Sequence, residues 1–478
     1  MSAGARTPGD AALAGEGSGA GGAATRQPAR VIGRGAAVAL VFGNMVGVGI
    51  FLTPSEVARA SPDVVTYLAL WIVGGVMALA GAQVAAELGS LFPHAGGDYV
   101  FLDRAFGRGI ARAWGLLSAV LSFPGSIATL AVGAVGTLAT ASFGAWLAEP
   151  VVTAGPATLA WKDLLALGVV WAATALNVRG VTLAGRVQAV LTWTPIAVFL
   201  GIAIWLVVAG VPAQVMDVPV RAPGSGSGPA FSGLAAAFCA VFFTFSGWNV
   251  LTYVGGEVKA PGRTIPVAIL TAVVLASAAY LVLNAAFLLA IPLATLPGVP
   301  NAGVATADRL FGTVGADAFA AFMAMSILAG LNSTVMAGSR ISLAIAGDGY
   351  LWRRMADIDE RRGTPAVALA VQAVIASAMV LTGSFSLLVT ATGGVIMLLS
   401  CVTIASIFVF RARMKLVPPT PMFGYPWTAA AFLAIGAIVI VLGFVSGGIW
   451  PVVGLAAVAL LVGVPAVAAR MSTRRGAC

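Results

Sequence analysis

From about residue 31 the chain alternates long apolar blocks with short polar ones. The apolar blocks fall at 36–58, 64–89, 110–139, 163–178, 183–209, 231–254, 265–291, 317–346, 365–382, 386–410, 427–446 and 449–469. A helix needs about 20 apolar residues to cross the hydrocarbon core of a bilayer. The pattern therefore predicts twelve membrane-spanning helices, the fourth being the shortest. The loops at 98–106 and 350–360 predict short helices lying on the inner surface. Residues 1–30 are rich in Gly, Ala and Ser without an apolar period, which predicts a disordered tail. That tail lacks the apolar run of ~7–15 residues found in a signal peptide.

Two of the blocks are interrupted. The first reads GNMVGVGIF over 43–51, bringing together Gly43, Gly47 and Gly49. Glycine weakens a helix by roughly 1 kcal/mol relative to alanine. A break at membrane depth also strands N–H and C=O groups at several kcal/mol each. A lone glycine cluster reads as close helix packing, a common use of glycine in membranes. The sixth block, however, reads FFTFSGWNVLTYVGGE, with Ser246 and Gly247 in mid-span and Gly255 and Gly256 at its end. Paired interruptions at matching places in two halves of a chain are the sequence pointer to a transporter's binding site. A half-helix that starts inside the bilayer aims free N–H groups at the gap, and one that ends there offers carbonyls. Two such breaks suit a zwitterion, its carboxylate on N–H groups and its ammonium on carbonyls.

Composition fits the pattern. The 478 residues are 60% hydrophobic and 9% charged, against about 25% charged in soluble domains. This is a polytopic membrane protein. The net charge of +9 is spread without a basic run that would suit nucleic acid. With the N-terminus in the cytoplasm, the inner segments hold 21 Lys and Arg residues. The outer loops hold only Arg59, Lys162, Arg221 and Arg309, and Arg340 lies within the eighth block. That asymmetry follows the positive-inside rule. It predicts a multi-pass protein of the cell membrane with both termini cytoplasmic.

Other function classes lack their residues. Cys239, Cys401 and Cys478 are far apart, and His94 is the only histidine. No disulfide, metal site or cofactor is expected. No set of His, Asp, Glu and Cys converges as an enzyme requires, so no covalent chemistry is expected. A proton- or ion-translocating subunit, the alternative reading, would carry Lys and Glu along its midplane, and a channel a polar stripe. The spans show neither.

Five stretches carry a family resemblance: GNMVGVGIFLTP (43–54), AAELGSLFPHAGGDYVFLDRAFG (85–107), FPGSIA (123–128), FTFSGWNVLTYVGGEVKAPGRTIPVAI (243–269) and LNSTVMAGSRISLAIAGDG (331–349). They resemble the amino acid–polyamine–organocation superfamily, in particular amino acid permeases of the L-type (LAT) kind, over about residues 31–470. The resemblance implies an all-α, leucine-transporter-like core of two five-helix inverted repeats, 31–209 and 230–413. Two further helices would follow at 425–469, then a cytoplasmic tail at 470–478. It implies a secondary transporter that moves amino acids by alternating access. The backbone of Val46, Gly47, Val48 and Gly49 would hold the substrate carboxylate. That of Phe243, Thr244, Phe245 and Ser246 would hold the amino group. Phe243 would gate the site, Gly247 would let the substrate approach closely, and Asn332 would line the site from helix eight.

Beside the membrane, Glu257, Lys259 and Arg263 flank Pro261. The residues alone read as a solvated loop; the resemblance implies a cytoplasmic gate against Asp98 or Asp103. The chain departs from the family at two points. Val48 stands where a serine is frequent, which leaves carboxylate binding to backbone N–H groups. Pro195 aligns with a frequent helix-five lysine, which leaves exchange, proton coupling and sodium coupling all open. The Ser333 and Thr334 hydroxyls read as caps on local carbonyls. Glu56, Glu87 and Arg340, near span ends, read as structural. With no acidic residue beside the breaks, neutral or aromatic amino acids are the expected substrates. Without an outer-loop cysteine for a disulfide, the permease is expected to stand free of a protein partner.

Overall fold

The computed structural model describes residues 30–93, 96–154, 157–180, 183–188, 190–193, 201, 231–382, 385–413, 418 and 420–446. The tail 1–29, His94, most of the fifth block with Pro195, the twelfth block and residues 470–478 lie outside them. The first apolar block forms α1 (Arg34–Met45) and α2 (Gly49–Ala60), and the second forms α3 (Val64–Leu91). A short α4 (Asp98–Phe106) precedes the third block, which runs as α5 (Arg108–Leu117), a π-helical turn (Ser118–Ser122) and α6 (Phe123–Ala139). After α7 (Trp161–Val178), the sixth block is α8 (Phe231–Phe245) and α9 (Val250–Tyr253). The remainder is α10 (Pro261–Ala290), α11 (Ala302–Gly347), α12 (Ala366–Thr382), α13 (Phe385–Arg413) and α14 (Trp427–Ser446).

Among the described residues, six helices are long and apolar enough to cross a membrane, and two shorter apolar ones accompany them. The chain is thus a mostly helical, polytopic membrane protein. Two local expectations change. The loop at 350–360 forms a single 3₁₀ turn at Arg353–Ala356 rather than a helix. An antiparallel hairpin, β1 (Pro150–Ala154) with β2 (Ala157–Ala160), interrupts the all-helical pattern between α6 and α7. It is too short and too far from strict alternation to announce itself in the sequence.

Local chemistry sets the helix ends. The Asp63 carboxylate accepts the Thr66 N–H at 2.6 Å to start α3, and the Asn301 side chain accepts that of Val304 at 3.0 Å to start α11. Such caps contribute about 1 kcal/mol each. Pro261 starts α10 where its missing N–H costs nothing. Gly312 turns the chain with φ of +68°, so α11 is a short outer piece followed by a spanning one.

Three contacts fix which ends lie together. The Glu257 carbonyl accepts the N–H groups of Val31 and Ile32, and the Lys259 N–H returns to the Ile32 carbonyl at 2.9 Å. The entry to α1 and the exit from α9 therefore share one end of the bundle. At the opposite end the Ser55 hydroxyl donates to the Val299 carbonyl. Back at the first end, Glu87 pairs with Arg411 at 2.7 Å and also accepts the Met422 N–H, joining α3, α13 and the approach to α14. Arg340 and Glu257 pair at 2.9 Å, with only 3% and 1% of their side chains exposed. Glu56 pairs with Arg59 at the surface.

The buried pair yields a prediction. Removing one partner of such a pair strands a charge and costs about 3–5 kcal/mol, whereas replacing both with neutral groups is often close to harmless. Arg340→Met should therefore lower the melting temperature in detergent clearly. Glu257→Gln/Arg340→Met should recover most of that loss. A double variant no more stable than the single one would show that the pair's energetics are not what holds this joint.

Candidate functional site

The chain leaves the helix between α1 and α2 at Val46, whose ψ of +78° ends α1. No side chain caps the start of α2 at Val48. The first N–H groups of a helix have no intrahelical partners, so those at the start of α2 face the gap. The second break runs through residues 246–249 between α8 and α9, where Gly247 takes φ of +101°. A Cβ at Gly49 would fall 2.9 Å from the Thr244 Cα, so the two breaks touch backbone to backbone.

Three side chains hold the breaks in place. The Tyr280 hydroxyl of α10 lies 2.6 Å from the Met45 carbonyl and 3.1 Å from that of Thr244. One hydroxyl proton is thus shared between a carbonyl of each break. Asn44 donates to the Gly247 carbonyl at 3.1 Å and accepts the Thr334 hydroxyl at 3.0 Å, tying both breaks to α11. Ser326, also on α11, donates to the Val46 carbonyl at 3.2 Å. Behind them Tyr67, Trp71, Phe245 and Tyr280 form a buried aromatic cluster with centroid separations of 4.9–6.5 Å.

A cavity lies against both breaks, bounded by α4, α5, the π-helical turn, α6, α11 and α13. Its water-accessible space of about 90 Å³ is several times that needed for one water. Gly47, Val48, Gly49, Phe243, Thr244, Ser246 and Gly247 all line it. Phe243 packs with Val48, Leu130 and Leu388 in an apolar cluster on one flank. Thr334 lines it too, while its hydroxyl and that of Ser333 also cap the Gly330 and Ala329 carbonyls one turn back.

Three expected site residues lie elsewhere. Val46 is not in the cavity lining: its N–H donates to the Phe42 carbonyl at 2.8 Å and its carbonyl accepts from Ser326. Phe245 belongs to the aromatic cluster behind the break. Asn332 points to the far side of α11, where it accepts from Asn177 and donates to Gln188, each at 2.8 Å. Residues two apart on a helix point about 200° apart. Hence Phe243 and Thr334 face the cavity while Phe245 and Asn332 face away.

The gate residues are also redistributed. Lys259 is exposed and its side chain meets neither Asp98 nor Glu257 in any ion pair among the described residues. Glu257 is taken by Arg340 instead. Asp98 does meet the sixth block, but through polar groups: Asn249 Nδ2 and the Tyr253 hydroxyl each donate to its Oδ2 at 2.8 Å. Asp98 also lines the cavity, an acidic group beside the breaks where the sequence pattern placed none. Its neighbour Tyr99 donates to Asp348 at 2.5 Å, so α4 is fastened to both α9 and the end of α11.

The architecture and the paired breaks can now be set beside known proteins. The family model for the amino acid permeases matches residues 32–464. The chain belongs to the amino acid permease family. It is 28% identical over 443 residues to the Asc-type amino acid transporter 1 of Mus musculus, covering 91% of this chain and 80% of that one. It is 28% identical over 405 residues to the large neutral amino acids transporter small subunit 2 of Homo sapiens, covering 84% and 73%. It is 27% identical over 349 residues to the cystine/glutamate transporter of Pongo abelii, covering 72% and 67%.

Within this permease, Asp98 gives a pH test. Burial pushes its carboxyl up from 3.8 to about 6, opposed by the hydrogen bonds from Tyr253 and Asn249 and by the nearby Thr403 hydroxyl. Between those two values the folded state holds a proton that the unfolded state has released, so stability falls as pH rises through this window. Asp98→Asn, which cannot ionise, should melt several degrees higher than the parent at pH 7.5. The gap should close as pH falls through 6 toward 4. A gap that is constant across that range would rule out ionisation of Asp98 as its source.

Proposed function

We propose that this permease carries amino acids across the cell membrane by alternating access, with the substrate zwitterion held at the two breaks. The single observation that supports this most is the cavity built directly on both interrupted helices. The uncapped start of α2 suits the carboxylate, through the N–H groups near Val48 and Gly49. The carbonyl side suits the ammonium less freely than expected, since Ser246 takes the Phe243 carbonyl and Tyr280 shares that of Thr244. Hydroxyls and amides that already line the cavity, Thr334 and Asn44 among them, complete the polar set.

In this reading twelve helices form two five-helix repeats, 31–209 and 230–413, plus two C-terminal helices, with the Lys- and Arg-rich end and both termini in the cytoplasm. Phe243 closes the apolar flank of the site. The Asp98 contacts to Asn249 and Tyr253 form the inner gate, with Glu257 bracing it through Arg340. Opening inward requires α9 to part from α4. The moving bundle does no covalent chemistry, and counter-substrate exchange or a coupling proton drives it. The named relatives are amino acid transporters, and this chain spans 80% and 73% of their lengths.

Purified protein in proteoliposomes tests the proposal. Radiolabelled amino acids should accumulate, and unlabelled amino acid inside or an imposed pH gradient should accelerate uptake. Thr334→Val keeps the shape but removes the hydroxyl that steadies Asn44. Losing one such bond, worth about 1 kcal/mol, should weaken apparent affinity about fivefold. Gly49→Leu is the less clean variant, because its side chain would push the Thr244 backbone away and disturb folding as well as binding. If monodisperse, thermally stable protein carries no amino acid under either driving force, the transport reading fails.

A further inference from the structure

Two residues that line the cavity, Asp98 and Ser118, each carry a buried polar atom that has no hydrogen-bond partner among the described residues. Asp98 Oδ1 makes no hydrogen bond, although the same carboxylate's Oδ2 accepts from Asn249 and Tyr253. Ser118 Oγ makes none either, and Ser118 is only 1% exposed. Both residues line the cavity that contains the breaks. Thr403 stands close enough to Asp98 to favour its ionised form, yet Thr403 Oγ1 also closes no hydrogen bond. A buried polar atom left unpaired costs about 1–3 kcal/mol, so such a group on a residue that lines a cavity calls for a partner.

The surrounding geometry puts both residues on the cavity wall where the third block lies against α4. Ser118 begins the π-helical turn, a feature that recurs at functional sites because it re-aims side chains. A Cβ at Gly115, one turn before it, would sit 3.0 Å from the Tyr99 ring, so this part of the third block lies directly against α4. Asn249 belongs to the second break itself and touches Asp98. The carboxylate is therefore one side chain away from the broken backbone, within reach of the side-chain end of a substrate anchored there.

We infer that Asp98 and Ser118 form a side-chain subsite that selects amino acids ending in a hydroxyl or a carboxamide. The inference rests on the transport reading above. A carboxylate only accepts hydrogen bonds, while a hydroxyl both donates and accepts. A ligand group that does both satisfies the pair, giving its hydrogen to Asp98 Oδ1 and receiving that of Ser118. A methyl or thioether group satisfies neither atom. An ammonium brings three donors to one free carboxylate oxygen, with no second carboxylate among the described residues that line the cavity, so it would remain under-coordinated after losing its water. The expected substrates thus shift from aromatic toward polar, uncharged amino acids.

Near-isosteric pairs provide the test. Uptake of tritiated threonine against valine, and of glutamine against methionine, is measured one at a time into proteoliposomes of the full-length protein. A site built on hydrogen bonds strongly rejects the analogue that lacks them. The polar member of each pair should show uptake per substrate concentration about tenfold or more above its apolar mate. Ser118→Ala should shrink each ratio to about threefold or less; a melting curve confirms that it folds. Equal or better uptake of valine and methionine by the parent protein overturns the subsite while leaving amino acid transport intact. So does lysine or arginine outrunning glutamine, or a Ser118→Ala ratio equal to the parent's. Absence of uptake for every amino acid overturns the transport reading and the subsite with it.

Discussion

A backbone that leaves its helix inside an apolar bundle must find partners for its stranded carbonyls, and here one hydroxyl serves two breaks. Tyr280 reaches the last carbonyl of α1 and the penultimate carbonyl of α8 from a third helix. It can do so only because Gly49 lets the two breaks meet backbone to backbone, and because Trp71 and Phe245 hold the tyrosine ring in its place. Each stranded group left unsatisfied would cost several kcal/mol. The packing of α3 and α10 behind the breaks is therefore a condition for having a site, as much as a part of the fold.

The same constraint divides the molecule by what is fastened and what is left available. Carbonyls are largely engaged: Met45 and Thr244 by Tyr280, Val46 by Ser326, Gly247 by Asn44. The N–H groups at the start of α2 have no side-chain cap. A site whose acceptors are mostly occupied and whose donors are free prefers an anionic group at the backbone, which is the carboxylate half of a zwitterion. The ammonium half then depends on side chains around the cavity rather than on bare carbonyls, a division the glycine pattern alone could not express.

How much of this was legible follows from the range of each signal. The breaks were legible because glycine acts locally: Gly47, Gly49 and Gly247 sit where the helices fail. The span ends were legible for the same reason, set by apolar periodicity and by caps within three residues, such as Asp63 on Thr66. Tyr280 and Asn44 were not, because their bonds cross 235 and 203 residues of sequence. Asn332 was placed by residue type without helix phase: it lies two residues from cavity-facing Thr334, and its side chain points the opposite way. Glu257, Lys259 and Arg263 were set against Asp98 or Asp103 across the inner surface, whereas the charge that reaches Glu257 is Arg340, 83 residues on.

Asp98 shows why charge patterning misses a site that tertiary contacts make. In the sequence it is one more loop acid following two glycines, far from any glycine-broken span. Folding swings α4 under the bundle, and Gly97, at φ of +45°, lets the chain turn tightly against Thr252 and Tyr253. A side chain at that position would meet the Tyr253 ring, so only glycine brings Asp98 within 2.8 Å of Asn249 and the Tyr253 hydroxyl. The carboxylate is then buried without a cationic partner among the described residues, stabilised by dipoles alone. An arrangement that holds a charge so lightly is easy to break and re-form, as a gate between α4 and α9 requires. In the proposed reading, the residue that adds an acidic group to the cavity wall is thereby also one whose contacts part as the cavity opens.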